Sequence, residues 1–101
     1  MPAGVPEPSL FPRRVLIELA VDSAADAARA FRAGADRIEL ASDLALQGLT
    51  ASSELIAEAR SAMPLPIAAM VRPRAGDFCF APTEHDQALR ETAAAVASGA
   101  S

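Results

Sequence analysis

Hydrophobic positions along the chain follow two periods in turn, and this alternation predicts the element order β-α-β-α-β-α. Apolar residues alternate with polar ones, or run continuously, in the three segments that we predict as strands, residues 15–21, 36–41 and 65–71. After each of them the apolar residues recur every three or four positions, which predicts helices over residues 24–33, from Thr50 to Pro64, and from Thr83 onward. Strict alternation of this kind favours parallel strands joined by right-handed crossovers, and so an α/β fold.

Residues that cap helices stand at the predicted helix ends. Ser23 is a good N-cap for the first helix, and Gly34 is placed as its C-terminal glycine. Thr50 is predicted to cap the second helix, and Thr83 the third, with Asp86 completing a capping box. The predicted buried faces of the second and third helices are Leu55, Ile56, Ala59 and Met63, and Leu89, Ala93, Val96 and Ala97.

A faint internal repeat links the ends of the first and third helices. Residues 30–36 and 95–101 have the same shape, in which Gly-Ala and a polar residue follow the helix. By that parallel a fourth strand begins just after Ser101, so we expect residues 15–101 to be the N-terminal portion of a larger fold, truncated before its fourth strand. Residues 1–14, with four prolines, are predicted to form a disordered arm.

The composition indicates a globular chain with a thin core. Of its 101 residues 51% are hydrophobic, but many of these are alanine and only four residues are aromatic, which limits the apolar burial of so small a domain. The net charge is −4 and no basic patch is interleaved with aromatics, so we expect no nucleic-acid partner. No stretch is apolar enough to span a bilayer, and a single cysteine fits a reducing compartment, so a cytoplasmic protein without a membrane partner is expected.

The first two predicted strands carry charges on one face, unlike strands that are buried on both sides. The alternation predicts that the side chains facing the helices are Ile17, Leu19, Val21, Ile38 and Leu40. A closed barrel explains the charges opposite them, because helices cover its outside and its interior can hold a balanced polar network. The charged residues assigned to that interior are Glu18, Asp22, Glu39, Arg37, Arg72 and Arg74.

Two arginines, Arg72 and Arg74, follow the third predicted strand, and Asp77 comes shortly after them. Ligands of α/β folds bind at the carboxyl ends of the strands. We therefore assign to the binding of an anionic or polar small molecule the residues Asp22, Arg72, Arg74 and Asp77, and to acid–base catalysis the carboxylates Glu18 and Glu39. The alternative is a neutralised ion-pair network without chemistry, a role that Arg37, at a strand start, fits.

Motifs of metal and nucleotide sites do not occur in the sequence. It has no Cys-x-x-Cys, His-Glu-x-x-His, P-loop or Gly-x-Gly-x-x-Gly pattern, so zinc, nucleotide and dinucleotide binding lack support. The soft donors that remain as candidate metal ligands are Cys79 and Met70. For both residues the alternative is a purely structural role, as a small buried residue and as a core residue.

Three stretches of the chain, residues 18–23, residues 34–42 with 48–50, and residues 70–79, together resemble the N-terminal part of the CutC family of copper homeostasis proteins. The resemblance is close from residue 15 to residue 80 and looser over the last helix. It implies a TIM-type (β/α) barrel that is cytoplasmic, often oligomeric and linked to copper(I). A whole TIM barrel needs roughly 200 residues or more, so this chain corresponds to the first three β/α units.

Departures from the family pattern bear on the expected chemistry. The family usually has cysteines, its proposed copper(I) ligands, at the positions of Ala20 and Ala41, and alanine offers no ligand. Gln47 and Ala75 stand where the family tends to have glycine, in loops that need unusual backbone angles. The acids and arginines are retained, which favours a polar small-molecule site over a thiolate metal site.

Three functions therefore stand at this point. By resemblance the chain is a copper homeostasis or copper-binding protein. The alternative is a TIM-barrel enzyme that acts on an anionic or sugar-like small molecule, held by Arg72 and Arg74. The third is a non-functional fragment, whose uncovered sheet edges would make it insoluble or molten. Besides a small-molecule or metal ligand, the expected partner is a second copy of the chain or a protein that completes the barrel.

Overall fold

The structure, a computed structural model, describes residues 15–101 and contains three consecutive β/α units. In chain order the elements are β1 (Glu18–Val21), α1 (Ala24–Ala33), β2 (Arg37–Leu40), a 3-10 turn (Leu44–Leu46), α2 (Ser53–Ala62), β3 (Ile67–Ala69) and α3 (Pro82–Ser98). The strands form one parallel sheet in the order β1-β2-β3, which confirms the predicted partial (β/α) barrel architecture. The arm predicted over residues 1–14 lies outside the described residues.

The hydrophobic core lies between the sheet and the helices. Its largest fully buried side chains are Ile38, Leu40, Ile56 and Ile67. The face predicted for β2 is therefore confirmed, because Ile38 and Leu40 are buried, and Ile67 of β3 lies in the same core. Leu19 follows the same alternation but stays 46% exposed, since β1 has no strand on its outer side among the described residues.

Helix α2 packs on the stripe that the sequence predicts. Ile56, Ala59 and Met63 are buried, and Leu55 is half-buried against the same core. Burying such a stripe removes apolar surface from water at about 25 cal/mol per Å², which is the main force holding α2 to the sheet.

The buried face predicted for α3 is wrong. Leu89 and Val96 are 70% and 67% exposed, and Ala95 is the residue that α3 buries. The helix is rotated so that polar residues, among them Glu91, face α2 and the loop before it. Its apolar stripe therefore lies on the side away from α2, where the described residues offer nothing to cover it.

Two predicted helix caps are also wrong. Ser52, not Thr50, caps α2, since its hydroxyl accepts the backbone N–H of Leu55 at 3.1 Å. Helix α3 begins at Pro82 rather than after Thr83, and the Glu84 carboxylate accepts the N–H of Ala81 at 2.7 Å. Proline fits the first helical turn because its missing N–H has no partner to lose there.

The internal repeat is reproduced in hydrogen bonds. The N–H of Asp36 donates to the carbonyl of Ile17, and a carboxylate oxygen of Asp36 accepts the N–H of Ile17. Ser101 makes the same pair of bonds with Ile67, using its backbone N–H and its hydroxyl. Ser101 thus lies beside β3 in the position that Asp36, at the start of β2, has beside β1.

Gly34 and Gly99 end α1 and α3 in the left-handed region, at φ values of 103° and 116°, and they form a matched pair for mutation. A Cβ on Gly34 would meet nothing within 4 Å, whereas one on Gly99 would lie 3.2 Å from the aliphatic carbons of Arg60. We expect Gly34→Ala to cost about 1 kcal/mol through backbone strain alone, and Gly99→Ala to cost roughly 2 kcal/mol because Arg60 must also move. Urea unfolding measures both losses, and equal losses would contradict the contact with Arg60.

Candidate functional site

Arg72 connects the loops at the carboxyl end of the sheet. It follows β3, and only 8% of its surface is exposed. Its Nη1 donates to the carbonyls of Leu46 and Gly48 at 3.0 and 3.1 Å, and its Nη2 donates to that of Gly76 at 2.9 Å. The side chain therefore holds together residues 43–50, which we call the β2 loop, and residues 72–81, which we call the β3 loop.

The charge of Arg72 has no acidic partner within ion-pair distance among residues 15–101. The ion pairs found there join acids to Arg29, Arg37 and Arg74. The Nε of Arg72 is buried and has no hydrogen-bond partner within the described part of the chain. One face of the guanidinium lies against the ring of Phe78, with Cζ 5.1 Å from the ring centroid, in a cation–π contact.

Thr50 supports Arg72 from the backbone side. Its hydroxyl accepts the N–H of Arg72 at 2.8 Å and donates to the carboxylate of Glu91 on α3 at 2.6 Å. The backbone N–H of Thr50 donates in turn to the carbonyl of Arg72 at 3.1 Å. Helix α3 is thereby tied to the end of β3, so the orientation of Arg72 depends on how α3 packs.

Arg74 is bound within its own part of the chain. Its Nε donates to Glu84 at 2.6 Å, its Nη2 lies 3.3 Å from the carboxylate of Asp77, and its remaining bonds go to carbonyls of Ala75, Asp77 and Cys79. The hydrogen bond to Glu84 is the main cause that raises the pKa of Arg74. The guanidinium folds the β3 loop onto the first turn of α3.

The acids around Arg74 have lowered pKa values for different reasons. The pKa of Glu84 lies below its ordinary value of 4.5, chiefly because Arg74 donates to it and secondly because Ala81 does. The pKa of Asp77 lies below its ordinary value of 3.8, chiefly because the backbone N–H of Cys79 donates to it. Each carboxylate therefore stabilises the β3 loop above its ordinary pKa, and the contribution is lost as the pH falls through the lowered value.

A pH titration separates these two causes. We expect Arg74→Gln to return the pKa of Glu84 most of the way to its ordinary range and to leave much of the lowering of Asp77, because the bond from Cys79 remains. Carboxyl ¹³C chemical shifts of both residues, followed between neutral and strongly acidic pH, give the two midpoints. Equal changes of both midpoints in the variant would contradict these assignments.

Asp22 and the two candidate catalytic acids lie at different levels of the sheet. Asp22 follows β1 at the carboxyl end, and its carboxylate accepts the N–H of Leu44 in the β2 loop at 3.2 Å. Glu18 is at the amino end of β1, hydrogen-bonded to Arg37 at the start of β2. The structure therefore sets Glu18 at the opposite end of the strands from the loops that Arg72 holds.

Glu39 has the position of a free carboxylate on the inner face. It is half-buried in the central strand, and the residues paired with it on the two neighbouring strands are Ala20 and Ala68. Within residues 15–101 its carboxylate has no hydrogen-bond or ion-pair partner. Small side chains therefore flank Glu39 on both neighbouring strands, while Glu18 is engaged in an ion pair with Arg37.

The soft donors lie in dissimilar surroundings. Cys79 is exposed in the β3 loop, whereas Met70 packs beneath Gly48, with its sulfur 3.3 Å from where a Cβ on that glycine would lie. Ala41 is buried at the same contact, and Ala20 is exposed on the neighbouring strand. In the described part of the chain no cluster of histidine, cysteine and acidic residues could hold a metal ion. These residues do not fit a thiolate copper(I) site.

The β2 loop contains the unusual backbone that its sequence suggests. Gln47 adopts a left-handed φ of 65°, and Asp43 a φ of 53°. The unusual backbone angle predicted for this loop is therefore present at Gln47, in a region of φ that favours glycine. In the β3 loop the left-handed residue is Gly76, not the neighbouring Ala75, so the substitution at position 75 adds no such strain.

Several residues of this region were missed at the level of sequence. Glu84 has a recognisable signal, because a proline followed two residues later by glutamate is typical of a helix start. Phe78, which covers Arg72, and Glu91, which binds Thr50, have no such signal. Both contacts join segments far apart in the chain or within an irregular loop, where periodicity carries no information.

Three parallel β/α units, with polar side chains gathered at the carboxyl ends of the strands, define part of a (β/α) barrel. Comparison with known proteins makes this specific: the CutC family model matches residues 15–101, so the chain belongs to the CutC family. A CutC family protein of Caulobacter vibrioides is 51% identical over 78 residues, which are 77% of this chain and 31% of the relative. The human "Copper homeostasis protein cutC homolog" is 42% identical over 69 residues, 68% of this chain and 25% of the relative.

The solved structure of a CutC protein from Streptococcus agalactiae matches with a TM-score of 0.78 and 29% identity. The match covers 86% of this chain and 43% of that protein. The chain therefore spans less than half of the structural relative, and between a quarter and a third of the two sequence relatives. No helix among the described residues has the length and apolar character needed to cross a membrane.

Proposed function

We propose that the protein takes part in copper homeostasis in the cytoplasm, as part of a CutC-type barrel. The match of the family model to residues 15–101 carries the proposal, and the name of the human relative supports it. A single free and exposed cysteine, Cys79, is compatible with a reducing compartment. Cells that make this protein are expected to tolerate elevated copper less well after loss of its gene and to recover with the wild-type gene. Unchanged tolerance would contradict the proposal.

Direct copper(I) ligation is a separate question, because Ala20 and Ala41 provide no thiolate. These residues lie on the inner face of adjacent strands. We expect the wild-type chain to lose copper(I) to a weak chelator and the double variant Ala20→Cys, Ala41→Cys to retain it. The single variants serve as controls. Retention by the wild type would point to other ligands, with Cys79→Ser and Met70→Leu as the next variants to test.

A second candidate function is catalysis on an anionic or sugar-like small molecule, with Glu39 as the acid–base group. The free, half-buried Glu39 between two alanines favours it, and Glu18, held by Arg37 at the other end of the sheet, is the weaker candidate. Glu39→Gln keeps the shape of the side chain and removes its basicity. We expect it to abolish turnover of any substrate that a screen of the barrel identifies, while Glu18→Gln is expected to keep it. Activity in Glu39→Gln would overturn this candidate.

The partner is proposed to be further β/α units that complete the barrel. Exposed apolar residues at both edges support this, Leu19 in β1 and Leu89 and Val96 on α3. A polypeptide with the remaining units of the Caulobacter relative is expected to form a complex of one copy each with this chain. Leu89→Asp is expected to weaken that complex, and a chain that only self-associates would instead favour the homo-oligomer.

A further inference from the structure

We propose that the Nε edge of the Arg72 guanidinium is a subsite for the carboxylate or phosphate group of a small molecule. The proposal rests on the second candidate function and deepens it, since it names the group that is bound and the atoms that bind it. It also gives Arg72 and Arg74 different roles, whereas the sequence analysis assigns both to binding of the same molecule.

The burial of the Arg72 charge is the first reason. Taking an isolated cation out of water costs several kcal/mol unless a counter-charge is supplied. Arg60 also donates only to carbonyls, those of Met63, Leu65 and Gly99, but it is half-buried and lies at the C-terminal end of α2, whose dipole favours a cation. Arg72 follows a strand, and only 8% of its surface is exposed. An anion from outside residues 15–101 would supply the missing charge.

The unused donors of Arg72 are the second reason. Nη1 has a carbonyl for each of its two N–H groups, Nη2 has one carbonyl, and Nε has no partner among the described residues. Nε and Nη2 form the side edge of the guanidinium, which binds carboxylate and phosphate with two parallel hydrogen bonds. Three carbonyls thus fix the plane of the group, and the donors of this edge are not all used within residues 15–101.

Access to the edge is the third reason. Arg72 lines a cavity of about 310 Å³ together with Ala45, Leu46, Gln47 and Gly76, which is room for a phosphate-sized group. Phe78 covers one face of the guanidinium while 73% of the phenylalanine itself is exposed. Nε itself is buried, so an anion reaches it only when the exposed Phe78 ring, whose aromatic contact is with Phe80, turns away. Arg74 offers no such edge because its Nε already binds Glu84.

The test observes the Arg72 Nε–H directly by ¹H–¹⁵N NMR of the wild-type chain. Inorganic phosphate, and acetate in a second arm, replace chloride at constant ionic strength and at a pH where arginine Nε–H signals are visible. We expect a saturable shift of the Arg72 signal, with the signals of Arg74 and of the exposed Arg29 unchanged. A larger response to phosphate or to acetate assigns the group that the subsite prefers. No saturable shift with either anion, or the same shift in all three arginines, would overturn the proposal.

Variants give a second readout that does not depend on that assignment. Phosphate is expected to raise the Tm of the wild type, and Arg72→Lys is expected to lose most of that rise because lysine has no bidentate edge. Arg74→Lys is the matched control and is expected to keep it. If Arg72→Lys does not fold, the wild-type titration decides alone. Phosphate binding by the wild type without turnover in the substrate screen would overturn the second candidate function and leave the subsite standing, so the two failures are distinguishable.

Discussion

Ile38→Ala is expected to remove much of the free energy of unfolding of this chain. Ile38 lies in the central strand with none of its surface exposed, and it is among the four largest fully buried side chains. Losing its three methyl and methylene carbons costs about 2–5 kcal/mol, through lost burial and the cavity left behind. Small domains are stable by only about 5 kcal/mol or little more, so this loss takes most of what is available. Far-UV circular dichroism during urea unfolding measures it.

Leu19→Ala is the matched control for Ile38→Ala. Leu19 follows the same alternation on the neighbouring strand but is 46% exposed, so its loss should cost about 1 kcal/mol. The gap between the two variants tests whether the core is centred on β2. Equal losses would show that β1 is buried in solution by something beyond residues 15–101. Leu19→Ala should cost more stability in a complex with further β/α units than it does in the chain alone.

Arg72→Ala is expected to release both loops at the carboxyl end of the sheet while leaving the core in place. The carbonyls of Leu46, Gly48 and Gly76 lose their donor, and leaving such groups unsatisfied costs about 3 kcal/mol in total if water replaces part of the bonds. Hydrogen exchange should accelerate in the β2 and β3 loops and stay slow in β2 and α2. A binding defect in Arg72→Ala therefore reports loop order as well as ligand contact, and Arg72→Lys is the sharper variant for binding.

Arg74→Ala is the control for loop release. Its side chain is more exposed and bonds within the β3 loop and to Glu84, so the β2 loop should keep its exchange rates. We expect only the β3 loop and the first turn of α3 to exchange faster. Fast exchange of Gly48 in both variants would contradict the separate roles of the two arginines.

The elements of the fold were largely predictable because each depends on a short stretch of chain. Ser23 caps α1 with its hydroxyl on the N–H of Asp26, and Gly34 ends that helix in the left-handed region, both as predicted. The helix-facing side of β2 follows from the period of two, since Ile38 and Leu40 are both fully buried. The strands are shorter than predicted because regular pairing stops before the apolar runs do.

The rotation of α3 shows where local reasoning fails. Its apolar residues Leu89 and Val96 form a helical stripe, and a stripe predicts burial only if something is present to cover it. Here two contacts set the orientation of α3, the hydrogen bond from Thr50 to Glu91 and the contact of Arg60 with Gly99. They turn the apolar stripe of the helix away from the core. The first contact joins residues 41 positions apart in the chain, and the second joins residues 39 positions apart. Sequence periodicity does not contain them.

The sequence by itself determined the three β/α units, the inward face of the strands and the chemical types of residue at their carboxyl ends. Only the tertiary structure decided which of these residues are available. It pairs Glu18 with Arg37 and Arg74 with Glu84, and it leaves Glu39 and the Nε of Arg72 without partners among the described residues. The physical reason is that strand and helix periods are properties of neighbouring residues, whereas a charge is satisfied or left free by whichever loop closes over it.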